Sequence, residues 1–339
     1  MIPQEKSAAV CRGLQEAFGI AEFEDIRPMT GGNSTTLKFR IVVRGTPYLL
    51  RVILRADDPT RHFACMRVAA EAGLAPRVWH TNVEDKICIT DFIDVAPFSM
   101  AEALVRMPAT LRALHALPPF PPAPNHINTS CTFLLNRGPA LDGFLKAFRA
   151  ANILPQDQIE ELLALHERIA AVYARSEADM VSSHNDFMKA DNVLFDGRRV
   201  WLIDWEAAFF NDRYADLAVV GNFVATNEDE ERAFLQAYFG GPADEYQRAR
   251  YFLMQQNAHL FYTLGFLLLG AQGKPVDLGE PSMGFREFQQ RFWAGEFNVS
   301  DPAVKVAYAR AHRGQLMENV RLPRFGESLR IVADRQGGS

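Results

Sequence analysis

Between Ser183 and Glu206 the chain reads SHNDFMKADNVLFDGRRVWLIDWE, and this stretch constrains the fold more than any other. NVLF and VWLID have the short apolar runs of β-strands. DGRR between them has the Asp-Gly chemistry of a tight turn, so a hairpin is expected. On both sides apolar residues recur at helical spacing instead, over about 156–176, 228–240 and 245–270. The segment gathers a His, four Asp, two Asn, a Lys and a Glu. A lone hairpin with that many polar groups, set in a helical region, is either an elaborate turn or a site.

The first third of the chain has a different texture. A helix is expected over 5–18. After MTGGNSTT come two β-like runs, LKFRIVV (37–43) and YLLRVIL (48–54), joined by RGTP as a hairpin. RHFACMRVAAEAG (61–73) has helical spacing and stops at Gly73, a C-cap residue. KICITDF (86–92) reads as a further strand. Ser99 with Glu102 forms a capping-box pattern that opens a helix through about Leu117. LPPFPPAPN (117–125) is a Pro-rich connector inside the larger part. The expected class is therefore α+β: a small N-terminal lobe with an antiparallel sheet over residues 1–93, a linker near 91–98, and a larger, mostly helical lobe over 94–339.

Composition excludes several functions. Hydrophobic residues make up 48% and charged residues 23% of the 339 residues, an ordinary globular balance. A net charge of -5 argues against nucleic acid, which needs a basic face. Cys11, Cys65, Cys88 and Cys131 are scattered without a CxxC pair, so neither a zinc site nor a disulfide framework is expected. The longest apolar run, Leu260 to Ala271, is shorter than the roughly 20 residues that cross a bilayer. The N-terminal residues lack the apolar core of a signal peptide. The expected protein is cytoplasmic, with no membrane partner. There is no GxxxxGK[ST] segment, so a P-loop mechanism is not indicated.

The polar hairpin fits phosphoryl transfer. That reaction needs a carboxylate to orient the attacking hydroxyl and take its proton, oxygen ligands for Mg²⁺, and a cation near the transferred phosphate. Asp186 suits the base, Asn192 and Asp204 the metal, and Lys189 the phosphate. The hairpin would bring the residues before its first strand close to the end of its second. Other residues have simpler readings. Asp196 belongs to the turn. The acidic NEDEE (227–231) is the first turn of a helix. His115 and His259 are helix residues satisfied by neighbours. Phe261, Tyr262, Phe266, Phe292 and Trp293 are most simply core, with an aromatic face for a quaternary ammonium group as the alternative.

HND followed by NVLF and LIDWE resembles the catalytic and metal motifs of the choline/ethanolamine kinase and aminoglycoside phosphotransferase superfamily, which has the protein-kinase-like two-lobed fold. NDRYADLA (211–218) is similar to the segment that follows the family's metal motif. MTGGNSTTLKFRIVVRGTPYLLRV is similar to its nucleotide loop and strands. The resemblance runs to about residue 225. It implies a kinase that uses ATP, with GTP as the alternative, and Mg²⁺, to phosphorylate a hydroxyl on a small molecule. An amino alcohol such as choline or ethanolamine is the expected acceptor. An aminoglycoside or other hydroxylated metabolite is the alternative, and an inactive nucleotide-binding module is the rival class.

By the same resemblance Asp186 is the base, Asn192 and Asp204 are the metal ligands, and Gly31, Gly32, Asn33, Ser34 and Thr35 form the loop over the phosphates. Arg51 contacts the α- and β-phosphates, and Lys189 the transferred one. His184, a candidate general base on its own chemistry, becomes with Asp216 a brace of the catalytic loop. Glu206, read from its place after Asp204, either supports the metal or is a hydrogen-bond partner. Two departures stand out. The interval from Asp186 to Asn192 is six residues where the family has five, so Asp191 competes with Asn192 as ligand. The helix after Arg51 places His62, Phe63 and Ala64 where the family puts a Glu to pair with the cation, and Glu71 lies near its end.

Overall fold

The structure is a computed structural model that describes residues 2–29, 36–56, 58–122, 139–187, 192–279 and 283–337. Two compact units form, one from residues within 1–98 and 189–208, the other from residues within 99–188 and 209–339.

The first unit begins with α1 (Gln4–Phe18), β1 (Asp25–Pro28), β2 (Thr36–Val43), β3 (Thr46–Ile53), α2 (Thr60–Glu71), β4 (Val78–Asn82) and β5 (Ile87–Asp91). The strands make one antiparallel sheet in the order β1-β2-β3-β5-β4. Val43 pairs with Thr46, so only Arg44 and Gly45 turn the chain, at φ 50° and 72°. Two successive left-handed residues match the right-handed twist of the flanking strands, and Gly45 adopts that conformation without strain. Strand alternation sends Phe39, Ile41 and Val43 to one face, where Ala9, Val10 and Leu14 of α1 cover them. Each large apolar side chain buried there stabilises the unit by about 1.5–3 kcal/mol. Gly73, at φ 72°, closes α2 by donating its N–H to the Ala70 carbonyl at 3.0 Å. The sequence pattern did not announce β1 and β4. DIRP and VWHTN are edge strands, and their pairing with β2 and β5 decides their conformation more than their own residues do.

The second unit opens with α3 (Met100–His115), α4 (Pro139–Ala150), α5 (Gln156–Ala170) and β6 (Met180–Ser183). The expected capping box is present: the Ser99 hydroxyl accepts from the Glu102 N–H, and the Glu102 carboxylate accepts from the Ser99 N–H. The chain then enters the hairpin of β7 (Val193–Phe195) and β8 (Val200–Leu202), which belongs to the first unit, and a 3-10 turn at Trp205–Ala207. It returns through β9 (Phe209–Asp212), which pairs antiparallel with β6, and finishes with α6 (Arg213–Val224), α7 (Glu228–Phe239), α8 (Glu245–Gly270), α9 (Phe285–Trp293), α10 (Pro302–Asn319) and α11 (Pro323–Gly337).

Helix α8 is the axis of this unit. Leu253, Met254, Leu260 and Leu264 are buried, and α6, α10 and α11 pack around it. His259 on α8 and His312 on α10 meet Nδ1 to Nδ1 at 2.9 Å inside the packing, so one ring donates and the other accepts. The acidic 228–231 stretch is the first turn of α7, with the Asn227 carboxamide oxygen accepting from the Glu230 N–H. Among the described residues, no helix is long and apolar enough to cross a membrane.

Candidate functional site

In the second unit, the pairing of β6 with β9 sets Ser183 opposite Phe209 and Met180 opposite Asp212. His184 to Phe187 therefore leave β6 as α6 starts at the far end of β9. The Asp212 carboxylate accepts from the Tyr214 N–H at 2.9 Å and caps α6. Its other oxygen takes the Arg250 guanidinium at 2.6 Å and the Tyr173 hydroxyl at 3.3 Å. This buried network fixes the start of α6.

Asp216 lies one turn further along and is buried. Its Oδ2 accepts from the His184 N–H at 2.9 Å and its Oδ1 from the Asn185 N–H at 2.8 Å. His115 Nε2 stands 3.2 Å from the same Oδ2. The loop before Asp186 is thus clamped through its own backbone. Asn185 takes a left-handed conformation, φ 65°, one that Asn tolerates better than most residues. Its carboxamide accepts from Asn211 Nδ2 and donates to the Ser183 carbonyl at 3.3 Å. His184 is fully buried, and its ring stacks on Phe187 at 4.7 Å, the surroundings of a brace. Asp186 comes next, half-buried. Burial, and after it the charge of Asp186, pushes the Tyr262 phenol well above its ordinary range, so Tyr262 lies in the field of Asp186.

The first unit holds the other residues. The Ile203 N–H donates to the Asn192 carbonyl at 3.0 Å, extending the β7–β8 ladder by one bond. Asn192 and Asp204 therefore emerge side by side at the open end of the hairpin. Asp204 is left-handed, with φ 67° and ψ 64°, a conformation that costs a non-glycine residue of order 1–3 kcal/mol. Arg51, from the middle of β3, is buried with its Nη2 3.6 Å from Asp204 Oδ1 and 3.8 Å from Glu206 Oε1. These separations are ion pairs too long for hydrogen bonds. Arg51 Nε and Nη2 have no hydrogen-bond acceptor among the described residues. Arg55 donates to Glu206 Oε2 at 2.5 Å. Arg61, at the start of α2, donates to the Glu206 carbonyl at 2.5 Å and to the Ala208 carbonyl, tying α2 to the 3-10 turn.

The missing helix carboxylate thus has a replacement. Asp204 and Glu206 supply the charge opposite Arg51, and Glu71 is exposed. His62 is buried beside them, and burial first, then the Arg51 charge, pulls its imidazole down to about 3. It is a neutral neighbour that adds no second cation.

These surroundings suit a nucleotide and a hard metal ion. Buried guanidinium donors without an acceptor match phosphate oxygens. Asn192 and Asp204 offer the carboxamide and carboxylate oxygens that Mg²⁺ prefers, in the small number it takes from protein. Among the described residues no group of three or more His, Cys, Asp or Glu side chains is set to hold a metal.

Gly31, Gly32, Asn33, Ser34, Thr35, Lys189 and Asp191 lie outside the described residues. Sequence reasoning missed Arg55, Arg61, Asn211 and Tyr238, whose roles come from partners far along the chain. It found His115 but saw only a satisfied helix residue, which is true as far as it goes. The Asn of HND did carry a signal, since Asn before a key residue is a common left-handed position.

A model of the phosphotransferase enzyme family matches residues 25–252, more than half of the chain. No curated protein matches it in sequence. Among solved structures, a choline/ethanolamine kinase family protein from Mesorhizobium loti is 21% identical with a TM-score of 0.65, covering 97% of this chain and 99% of its own. The choline kinase of Streptococcus pneumoniae is 16% identical with a TM-score of 0.56, covering 93% and 100%. A spectinomycin phosphotransferase in complex with ADP and spectinomycin is 15% identical with a TM-score of 0.55, covering 90% and 98%. At these identities the likeness is one of fold.

Proposed function

This chain belongs to the phosphotransferase enzyme family, and on that premise we propose that it transfers the γ-phosphoryl group of ATP to the hydroxyl of an amino alcohol such as choline or ethanolamine. The observation that supports the acceptor class is the aromatic cluster at Tyr262, whose half-buried ring meets Phe261, Phe266 and His312 at 5.4, 6.2 and 5.2 Å. Burial, then Asp186, Tyr308 and Asp216, raise its phenol. An aromatic face in the field of two carboxylates attracts a cationic ammonium group.

Asp186 accepts the hydroxyl proton as the oxygen attacks. Asp216 and His184 hold the loop so that Asp186 does not move during transfer. Arg51 takes the α- and β-phosphates with its free donors, the Gly31–Thr35 loop covers the phosphates through backbone N–H groups, and Lys189 reaches the transferred one. Asn192 and Asp204 would hold Mg²⁺, with Glu206 supporting them. When bound, the ion neutralises charge on the phosphate oxygens. Residues 1–93 form the nucleotide-binding part, and residues 94–339 supply the metal ligands, Lys189, the base and the acceptor site.

ADP release measured with Mg·ATP across amino alcohols, aminoglycosides, sugars and nucleosides tests the reading. The expected result is acceptor-dependent release, fastest with choline or ethanolamine. Fastest release with an aminoglycoside would keep the cation-attracting wall and change the acceptor. Release unaffected by any acceptor, or fastest with an uncharged sugar, would overturn the proposal.

A further inference from the structure

We propose that His115 and Tyr238 are positioning residues for the catalytic loop, acting through Asp216. The inference rests on the reading of Asp186 as base, and deepens it. His115 is the last residue of α3, and Tyr238 lies near the end of α7. Tyr238 Oη is 2.7 Å from His115 Nδ1, and His115 Nε2 is 3.2 Å from Asp216 Oδ2. Asp216 in turn accepts the N–H groups of both residues that precede Asp186. A continuous chain of hydrogen bonds therefore runs from α7 through α3 and α6 to the backbone of the loop.

The direction of each bond follows from what each group can do. A carboxylate only accepts, so His115 Nε2 carries the proton that faces Asp216. Burial raises the Tyr238 phenol, so Tyr238 keeps its proton and donates it to Nδ1. That bond fixes the Nε2–H tautomer, as an orienting partner does for a histidine in other sites.

The chain matters because a carboxylate turns easily about its last side-chain torsion, which is broad and two-fold. The two loop N–H groups need one oxygen each, so Asp216 must stay in one orientation. Two backbone donors that leave its side-chain torsion otherwise unrestrained do not enforce that alone. His115 supplies a third donor from a rigid helix, and Tyr238 holds the ring that gives it. All three side chains are buried, so water does not compete for these bonds.

The test uses the full chain with His115→Leu, His115→Gln and Tyr238→Phe, assayed with the best acceptor of the panel. Leu keeps apolar volume and removes both bonds, whereas Gln keeps a donor that reaches Asp216. His115→Leu is expected to lower kcat about 10- to 100-fold, the worth of one hydrogen bond to a charged group, with KM for ATP changed less than about twofold. Hydrogen exchange at the His184 and Asn185 amides is expected to quicken by about the same factor, while α3 and α7 keep their protection. Tyr238→Phe is expected to give a smaller loss of the same pattern, and His115→Gln to recover most of the activity. Imidazole nitrogen NMR is expected to show the Nε2–H tautomer for His115. A folded His115→Leu variant with unchanged kcat and unchanged exchange at His184 and Asn185 would overturn the proposal, and so would the Nδ1–H tautomer. The reading of Asp186 fails separately: full activity in Asp186→Asn would sink the base assignment and leave the exchange result standing.

Discussion

Asn185 offers a sharp test of how the loop before Asp186 is built, because two kinds of energy meet in one residue. Its backbone is left-handed at φ 65°, and its carboxamide bonds to Asn211 and to the Ser183 carbonyl. Asn185→Gly removes the side-chain bonds and relieves the backbone. Asn185→Ala removes the same bonds and leaves a Cβ in a region that costs an ordinary L-residue roughly 1–2 kcal/mol. The two lost bonds are worth about 1–3 kcal/mol together, with Asn211 left buried and short of a partner. The glycine variant is thus expected to lose about 1–3 kcal/mol and the alanine variant about 1–2 kcal/mol more. Equilibrium denaturation in urea reads both, provided the slopes match. The same order is expected in kcat, since a left-handed residue precedes Asp186 and sets its aim. If Asn185→Ala proved as stable and active as Asn185→Gly, the backbone argument would be wrong.

Three further outcomes are expected. Gly221 on α6 faces Tyr251 of α8, and a Cβ there would stand 1.8 Å from the buried Tyr251 hydroxyl; Gly221→Ala should therefore destabilise by about 1–3 kcal/mol or more through overpacking, read as a fall in the denaturation midpoint. His62 titrates near 3 in the folded chain against an ordinary 6.5, through burial first and Arg51 second. Its folded value is depressed, so the folded state binds fewer protons. That stability is full above pH 6.5 and is lost as pH falls towards 3, about 2 kcal/mol of it between pH 7 and pH 5; His62→Met should flatten the pH dependence of the denaturation midpoint by that amount, and an unchanged slope would contradict the burial account. Asp204→Asn should weaken Mg²⁺ binding in the presence of ATP by at least the roughly 10- to 100-fold typical of losing an outer-shell partner, measured by calorimetric titration.

What the sequence made legible was local. The β2–β3 hairpin, the Ser99 capping box, the β7–β8 hairpin and the long α8 each follow from turn chemistry, caps or periodicity within a few residues. What stayed hidden depends on pairs distant in the chain. β6 and β9 are short and polar at their ends, and only their pairing makes them strands. The same holds for the site. HND and LIDWE are contiguous motifs and stand out by eye. The countercharge of Arg51 does not, because Asp204 and Glu206 lie about 150 positions away, and an expected helix Glu drew attention to α2 instead. His115 reaches Asp216 from α3 and Tyr238 reaches His115 from α7, and no spacing rule links them.

The central claim is that Asp186 takes the proton of the acceptor hydroxyl. The most direct measurement is kcat for Asp186→Asn at saturating Mg·ATP and acceptor, with the nucleotide Kd measured on the same protein. The carboxamide keeps the size and loses the basicity. The account predicts a kcat lower by about 10²- to 10⁴-fold, the usual contribution of general acid–base catalysis, with the nucleotide Kd unchanged within about twofold. A variant that turns over at the wild-type rate would contradict it.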